Sequence, residues 1–248
     1  VDGNAAAATA TVARQVLTVD ASGLTTGAAT INADAETDAE IIIKGGAGDD
    51  IITISSSTVV GDVITAGAGD DRIRITTSAD LTAADSINGG ADGTATGDVG
   101  DQLVFVANST VTDAQLTLVS NISTITADAN TTLNVTLGDI AASSGVNTVI
   151  LTQTGANDTV AIDADAPATV TVEFDSDATN VNSVIAAATY AGAITVKAAD
   201  TELDNTTSVF TGGTGNDTLE ITAAGGAAIT LGSVTNVETI KIVGTTLN

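Results

Sequence analysis

Gly45-Gly46-Ala47-Gly48-Asp49-Asp50-Ile51-Ile52-Thr53 places three glycines, an aspartate and an apolar residue in fixed phase within nine residues. The pattern returns as Ala66-Gly67-Ala68-Gly69-Asp70-Asp71-Arg72-Ile73-Arg74, changed only in its first residue. A third copy begins at Gly89-Gly90-Ala91-Asp92 and, after an insertion over 93–99, resumes at Gly100-Asp101-Gln102-Leu103. Far downstream, Gly212-Gly213-Thr214-Gly215-Asn216-Asp217-Thr218-Leu219-Glu220 is again complete. Glycines permit a tight turn and positive φ, which residues with a Cβ tolerate poorly. The apolar residue two places after the aspartate starts a strand and faces inward, because side chains alternate faces along a strand.

Working outward, the Asp-x-apolar unit recurs at Asp50/Ile52, Asp62/Ile64, Asp71/Ile73, Asp85/Ile87 and Asp101/Leu103. The glycine turns start at 45, 66 and 89, so one lap takes 21 and then 23 residues, with two turns per lap. This predicts an all-β, elongated parallel β-roll or β-helix, a solenoid with calcium-binding glycine turns. Side-chain-free turns let carbonyl oxygens converge, the aspartate adds a charged oxygen, and Ca²⁺ prefers six to eight such hard ligands. The first place for an ion is between the turns at 45–50 and 66–71, the next between 66–71 and 89–101, and then the turn at 212–217. The opposite corners, Val60-Gly61-Asp62 and Ala83-Ala84-Asp85, lack the glycine set and read as plain. Ordinary Gly-Asp hairpin turns are the simpler explanation, but they do not require four fixed positions and a phased apolar residue.

The 248-residue chain carries 31 acidic and 6 basic residues, a net charge of −25, with 43% hydrophobic content and a mean hydropathy of +0.34. That hydrophobicity argues against disorder, and the charge argues against nucleic-acid or anionic-lipid partners. Cys, Met, His and Trp are all absent, so disulfides, Ser-His-Asp and Cys-His catalysis and His-ligated zinc are excluded. No apolar run reaches membrane-spanning length, which predicts no membrane insertion. The paired carboxylates Asp49/Asp50 and Asp70/Asp71 are accounted for by metal binding, and the expectation is that the protein is not an enzyme. Arg72 and Arg74 occupy alternate strand positions; they read as charge-balancing surface residues or, more sharply, as a contact between subunits.

Four regions are expected: connecting strands over 1–40, the calcium β-roll over 41–127, solenoid with few metal turns over 128–208, and a second turn with C-terminal strands over 209–248. Val16–Val19, Thr30–Ala33 and Glu40–Ile43 read as early strands, and residues 132–137, 148–151, 159–162, 169–174 and 193–197 as later ones, most alternating Thr with an aliphatic residue. Val181, Val184, Ile185 and Ala188 share one helical face, which predicts a helix around Val181–Tyr190. The segment Leu116-Thr117-Leu118-Val119-Ser120-Asn121-Ile122-Ser123-Thr124-Ile125 is echoed by Ile229-Thr230-Leu231-Gly232-Ser233-Val234-Thr235-Asn236-Val237-Glu238-Thr239-Ile240, and both follow a glycine–aspartate turn.

The motifs at 45–53, 66–74, 89–103 and 212–220 resemble RTX (haemolysin-type) calcium-binding repeats. The combined pattern is similar to the RTX-type surface-layer proteins of Gram-negative bacteria, most closely over 41–127. The resemblance implies Ca²⁺ as cofactor, held by oxygens of Gly45, Gly46, Gly48, Asp49 and Asp50, of Gly67, Gly69, Asp70 and Asp71, of Gly90, Asp92, Asp98 and Asp101, and of Gly213, Gly215, Asn216 and Asp217. It implies a secreted, cell-surface structural protein whose partner is itself, in a calcium-assembled lattice or filament. Contact with cell-surface polysaccharide would run through regions outside this chain. The alternative is a calcium-rigidified stalk of an adhesin or biofilm matrix protein.

Overall fold

The computed structural model describes residues 15–36, 39–54, 61–93, 100–129, 131–152, 157–174, 182–200, 208–223 and 231–244. Every strand pairing in it is parallel, and the chain coils as a β-solenoid. One ten-stranded sheet runs from Thr30–Ala33 to Thr239–Gly244, with successive laps contributing Ile51–Ile54, Arg72–Ile75, Gln102–Phe105, Thr124–Ala127, Thr148–Leu151, Thr169–Phe174, Ala193–Ala199 and Thr218–Ala223. The opposing face changes along the coil. Five strands (Val16–Asp20, Glu40–Lys44, Val63–Ala68, Ser86–Ala91 and Val119–Ser120) form it first, and six strands from Ser109–Val111 to Ser233–Thr235 replace them. The handover occurs where one lap, Gln102–Phe105 to Val119–Ser120, visits all three sheets. Strand pairing in the long sheet is continuous across both of the expected boundaries near 127 and 208.

Alternation builds the core. Ile52, Ile73, Leu103, Ile125, Val149, Val172, Val196 and Leu219 stand in register on consecutive laps, each fully buried. Burying one such side chain contributes roughly 1.5–3 kcal/mol. One residue earlier, the six strands from Thr124–Ala127 onward hold Thr124, Thr148, Thr171, Thr195, Thr218 and Thr239, a row of threonines whose branched side chains suit a pleated surface.

The helix expected at Val181–Tyr190 is not formed. Asn182–Ala186 is a strand paired on both sides, with Val184 buried and Ile185 46% exposed on opposite faces. Those residues fit both periods, and two neighbouring strand edges decide in favour of pairing. The short helix Asp139–Ser144 lies elsewhere and ends on Gly145 at φ 96°. Its first turn is capped from the previous lap, where the Asp113 carboxylate accepts N–H bonds from Gly138, Ile140 and Ala141. A carboxylate at that position satisfies otherwise orphaned donors and complements the helix dipole.

Candidate metal edge and its aspartate ladders

The glycine turns stack lap upon lap, as their spacing requires. Gly45 N–H donates to Thr65 O, Ala68 N–H to Gly46 O, and Gly69 N–H to Ala91 O. A Cβ on Gly45 would overlap the Ala66 carbonyl oxygen, and Gly67 sits at φ 129° against Gly46. The turns at 45–50, 66–71 and 89–93 are therefore brought together on one edge. Asp98 and the expected corner residue Val60 lie outside the described residues.

Each sixth-position aspartate points into the coil. Asp50, Asp71, Asp101 and Asp217 are all fully buried. Their carboxylates form a ladder along the coil: Ala29 N–H donates to Asp50 Oδ1 (2.5 Å), Asp50 N–H to Asp71 Oδ1 (2.7 Å), and Asp71 N–H to Asp101 Oδ1 (2.8 Å). The fifth-position aspartates make a second ladder of opposite sense. Asp70 N–H donates to Asp49 Oδ1 (3.0 Å) and Gly93 N–H to Asp70 Oδ1 (2.7 Å). These bonds satisfy corner amides that no sheet partner reaches.

The second carboxylate oxygens divide the turns into two kinds. Asp50 Oδ2 accepts from Gly46 N–H (2.6 Å), and Asp217 Oδ2 from Gly213 N–H (2.9 Å). Asp71 Oδ2 and Asp101 Oδ2 are buried and have no hydrogen-bond partner among the described residues. Burial pushes the Asp71 carboxyl up to about 6, and the charges of Asp50, Asp49 and Asp70 push in the same direction. Burial likewise pushes Asp101 up to about 7, assisted by Asp71, Asp92 and Asp70. The ion pairs formed between described residues, Lys44–Asp20, Arg74–Asp128, Lys197–Glu173 and Lys241–Glu220, bring no cation to Asp71 or Asp101.

The downstream turn has neighbours that the sequence did not suggest. Ile194 N–H donates to Asp217 Oδ1 (2.9 Å), and Asp217 N–H donates to Glu238 Oε2 (2.8 Å), so Glu238 is the next rung. Gly213 is buried under the Tyr190 carbonyl, and the Tyr190 hydroxyl donates to Pro167 O. Burial and the Asp217 charge push that hydroxyl up to about 12. Gly215 is half-buried against Gly192, whereas Asn216 is exposed.

The corner read as plain is a ladder too. Ile41 N–H donates to Asp62 Oδ1 (2.9 Å) and Asp62 N–H to Asp85 Oδ1 (2.8 Å). Further along, Leu133 N–H donates to Asp158 Oδ1 (2.8 Å), and burial pushes the Asp158 carboxyl up to about 6. The signal was present in the Asp-x-apolar units at 62 and 85, which carry the same buried aspartate without the full glycine set.

The residues at the glycine edge fit a hard cation in their donor chemistry. The donors are oxygens alone, two of them are buried carboxylate atoms with no proton donor among the described residues, and Asp49 and Asp92 lie exposed beside them. No three acidic side chains converge as a metal cluster among the described residues, so backbone oxygens would have to complete a coordination shell. No protein-family model, characterised protein or solved structure matches this chain. None of its described helices is long and apolar enough to cross a membrane.

Proposed function

We propose that this chain is a secreted structural protein whose solenoid is completed by calcium and which then assembles with copies of itself into a surface layer or extracellular filament. The observation that carries the reading is the pair of adjacent buried carboxylates, Asp71 and Asp101, each with one oxygen that has no hydrogen-bond partner among the described residues, on an edge crowded with further acids. A buried carboxylate without a compensating partner is strongly disfavoured, and a divalent ion supplies that compensation. Asp71, Asp101, Asp49, Asp70 and Asp92, with carbonyls of the glycine turns, would hold it. Asp50 and Asp217 serve first as locks between laps, because both of their oxygens accept backbone amides.

Extracellular-class sites bind calcium at about 10⁻⁴–10⁻³ M. Calcium at ten times Kd stabilises each occupied site by roughly 1.4 kcal/mol, and it lowers the repulsion between like subunits of charge −25. The test is a calcium titration of purified protein followed by circular dichroism and light scattering, with magnesium as control. Strand signal strengthening together with growth in particle size is expected. Strand signal without growth would favour the stalk module, and no response to calcium would remove the metal from the account.

A further inference from the structure

The net charge is unevenly placed. Five of the six basic residues, Lys44, Arg72, Arg74, Lys197 and Lys241, lie in strands, where only five acids accompany them. The other 26 acids lie outside the described strands. Four of those bases, all but Lys44, project from the outer face of the ten-stranded sheet, against two acids, Glu173 and Glu220. The described strand residues of that face are thus net positive on a strongly acidic molecule. Three of its cations are spent locally, Arg74 on Asp128, Lys197 on Glu173 and Lys241 on Glu220. Arg72 is exposed, forms no ion pair with any described residue, and has Ile51 and Gln102 beside it on the neighbouring strands. Ile51 is itself 37% exposed.

We propose that the outer face of the long sheet around Arg72 receives an acidic corner edge of a second copy of this chain. The proposal rests on the self-assembly reading and supplies its contact. A strongly anionic chain approaches itself most readily where charge is complementary, and the Arg72 face is complementary to the corners. Arginine is also among the residue types enriched as interface anchors. A face-to-edge contact joins two different surfaces, so it is heterologous and, where its rotation does not close a ring, propagates into a filament or layer.

The experiment compares wild type with Arg72→Glu and Arg72→Lys at saturating calcium, by sedimentation velocity at low and high NaCl. Circular dichroism at each calcium concentration reports folding separately. Arg72→Glu is expected to fold with calcium as wild type does, yet to need at least about tenfold more protein to assemble at low salt. Wild-type assembly should itself weaken at high salt. Carbodiimide crosslinking of Arg72→Lys, in mixtures of ¹⁴N- and ¹⁵N-labelled protein, should join position 72 of one copy to a carboxylate of another. If wild type assembles and Arg72→Glu assembles equally well, this contact is wrong while the assembly reading stands. If wild type never assembles, both fall. If Arg72→Glu loses only its retention on an anionic polysaccharide column, the face serves a polyanion and the copy-to-copy contact is overturned.

Discussion

The turns at 66–71 and 212–217 share one motif and differ in what completes it. In the downstream turn both Asp217 oxygens accept backbone amides, from Ile194 and Gly213, and the next rung is Glu238. In the upstream turns Asp71 and Asp101 each hold one lap amide and leave an oxygen buried without a donor among the described residues. The motif therefore encodes two things at once. Its glycines and aspartate lock one lap onto the next, which needs no ion. Repetition on directly successive laps then stacks carboxylates on carboxylates, and there the edge suits a cation; a buried second oxygen is not confined to it, since Asp158 Oδ2 also has no hydrogen-bond partner among the described residues.

The largest effect should be common to both regions. Gly45→Val and Gly212→Val each drive a side chain into a carbonyl of the next lap, Ala66 O or Asn236 O. Each should destabilise by about 3 kcal/mol or more, with or without calcium, as read by chemical denaturation. A Gly45→Val protein of normal stability would mean the laps do not stack this closely.

Asp217→Ala comes next. It leaves the Ile194 and Gly213 amides without acceptors, and each buried unsatisfied group costs about 1–3 kcal/mol. Urea unfolding should show this loss at the same size in EDTA and in calcium; a loss seen only in calcium would make Asp217 a ligand first.

A pH effect of similar or smaller size is expected in metal-free protein. Asp158 has its folded value raised to about 6 from 3.8, so the folded state binds the proton more tightly. Its contribution is fully present below about pH 4 and is lost as pH rises towards 6. Thermal melts in EDTA should fall across that window, and Asp158→Asn should flatten the fall by up to about 3 kcal/mol. Melts that rise across it equally in both proteins would contradict the buried, donor-poor setting of Asp158. Smallest is Lys241→Ala, which removes an exposed pair with Glu220 and should change stability by at most about 0.5 kcal/mol.

Much of the fold could be read from residues alone, because lap length is local information. The 21-residue spacing of the first two turns became the register Ile51 to Arg72, and the 23-residue spacing became Val63 to Ser86. Within the echo between 116–125 and 229–240, one pair of residues has a geometric meaning. Asn121 and Asn236 both sit at φ 53°, and their carbonyls press on Gly89 and Gly212 of the preceding lap. What the residues did not disclose depends on a neighbour one lap away. Glu238 became a rung only because it stacks beside Asp217, and Asp62 and Asp85 became a ladder without any glycine signature. The strand at Asn182–Ala186 was likewise chosen by its two flanking strands over its own helical spacing.

The most direct test of the calcium edge is the thermal melt of wild type and of the double variant Asp71→Asn/Asp101→Asn, in EDTA, magnesium and calcium at pH 7.5. Both asparagines keep the Oδ1 acceptor for the lap amide and remove the buried charge. In EDTA the double variant should be as stable as wild type or more so, by on the order of 2 kcal/mol. Calcium should raise the wild-type midpoint by several degrees and leave the variant unmoved. If calcium raises both equally, or neither, the unpartnered oxygens of Asp71 and Asp101 are not where calcium acts.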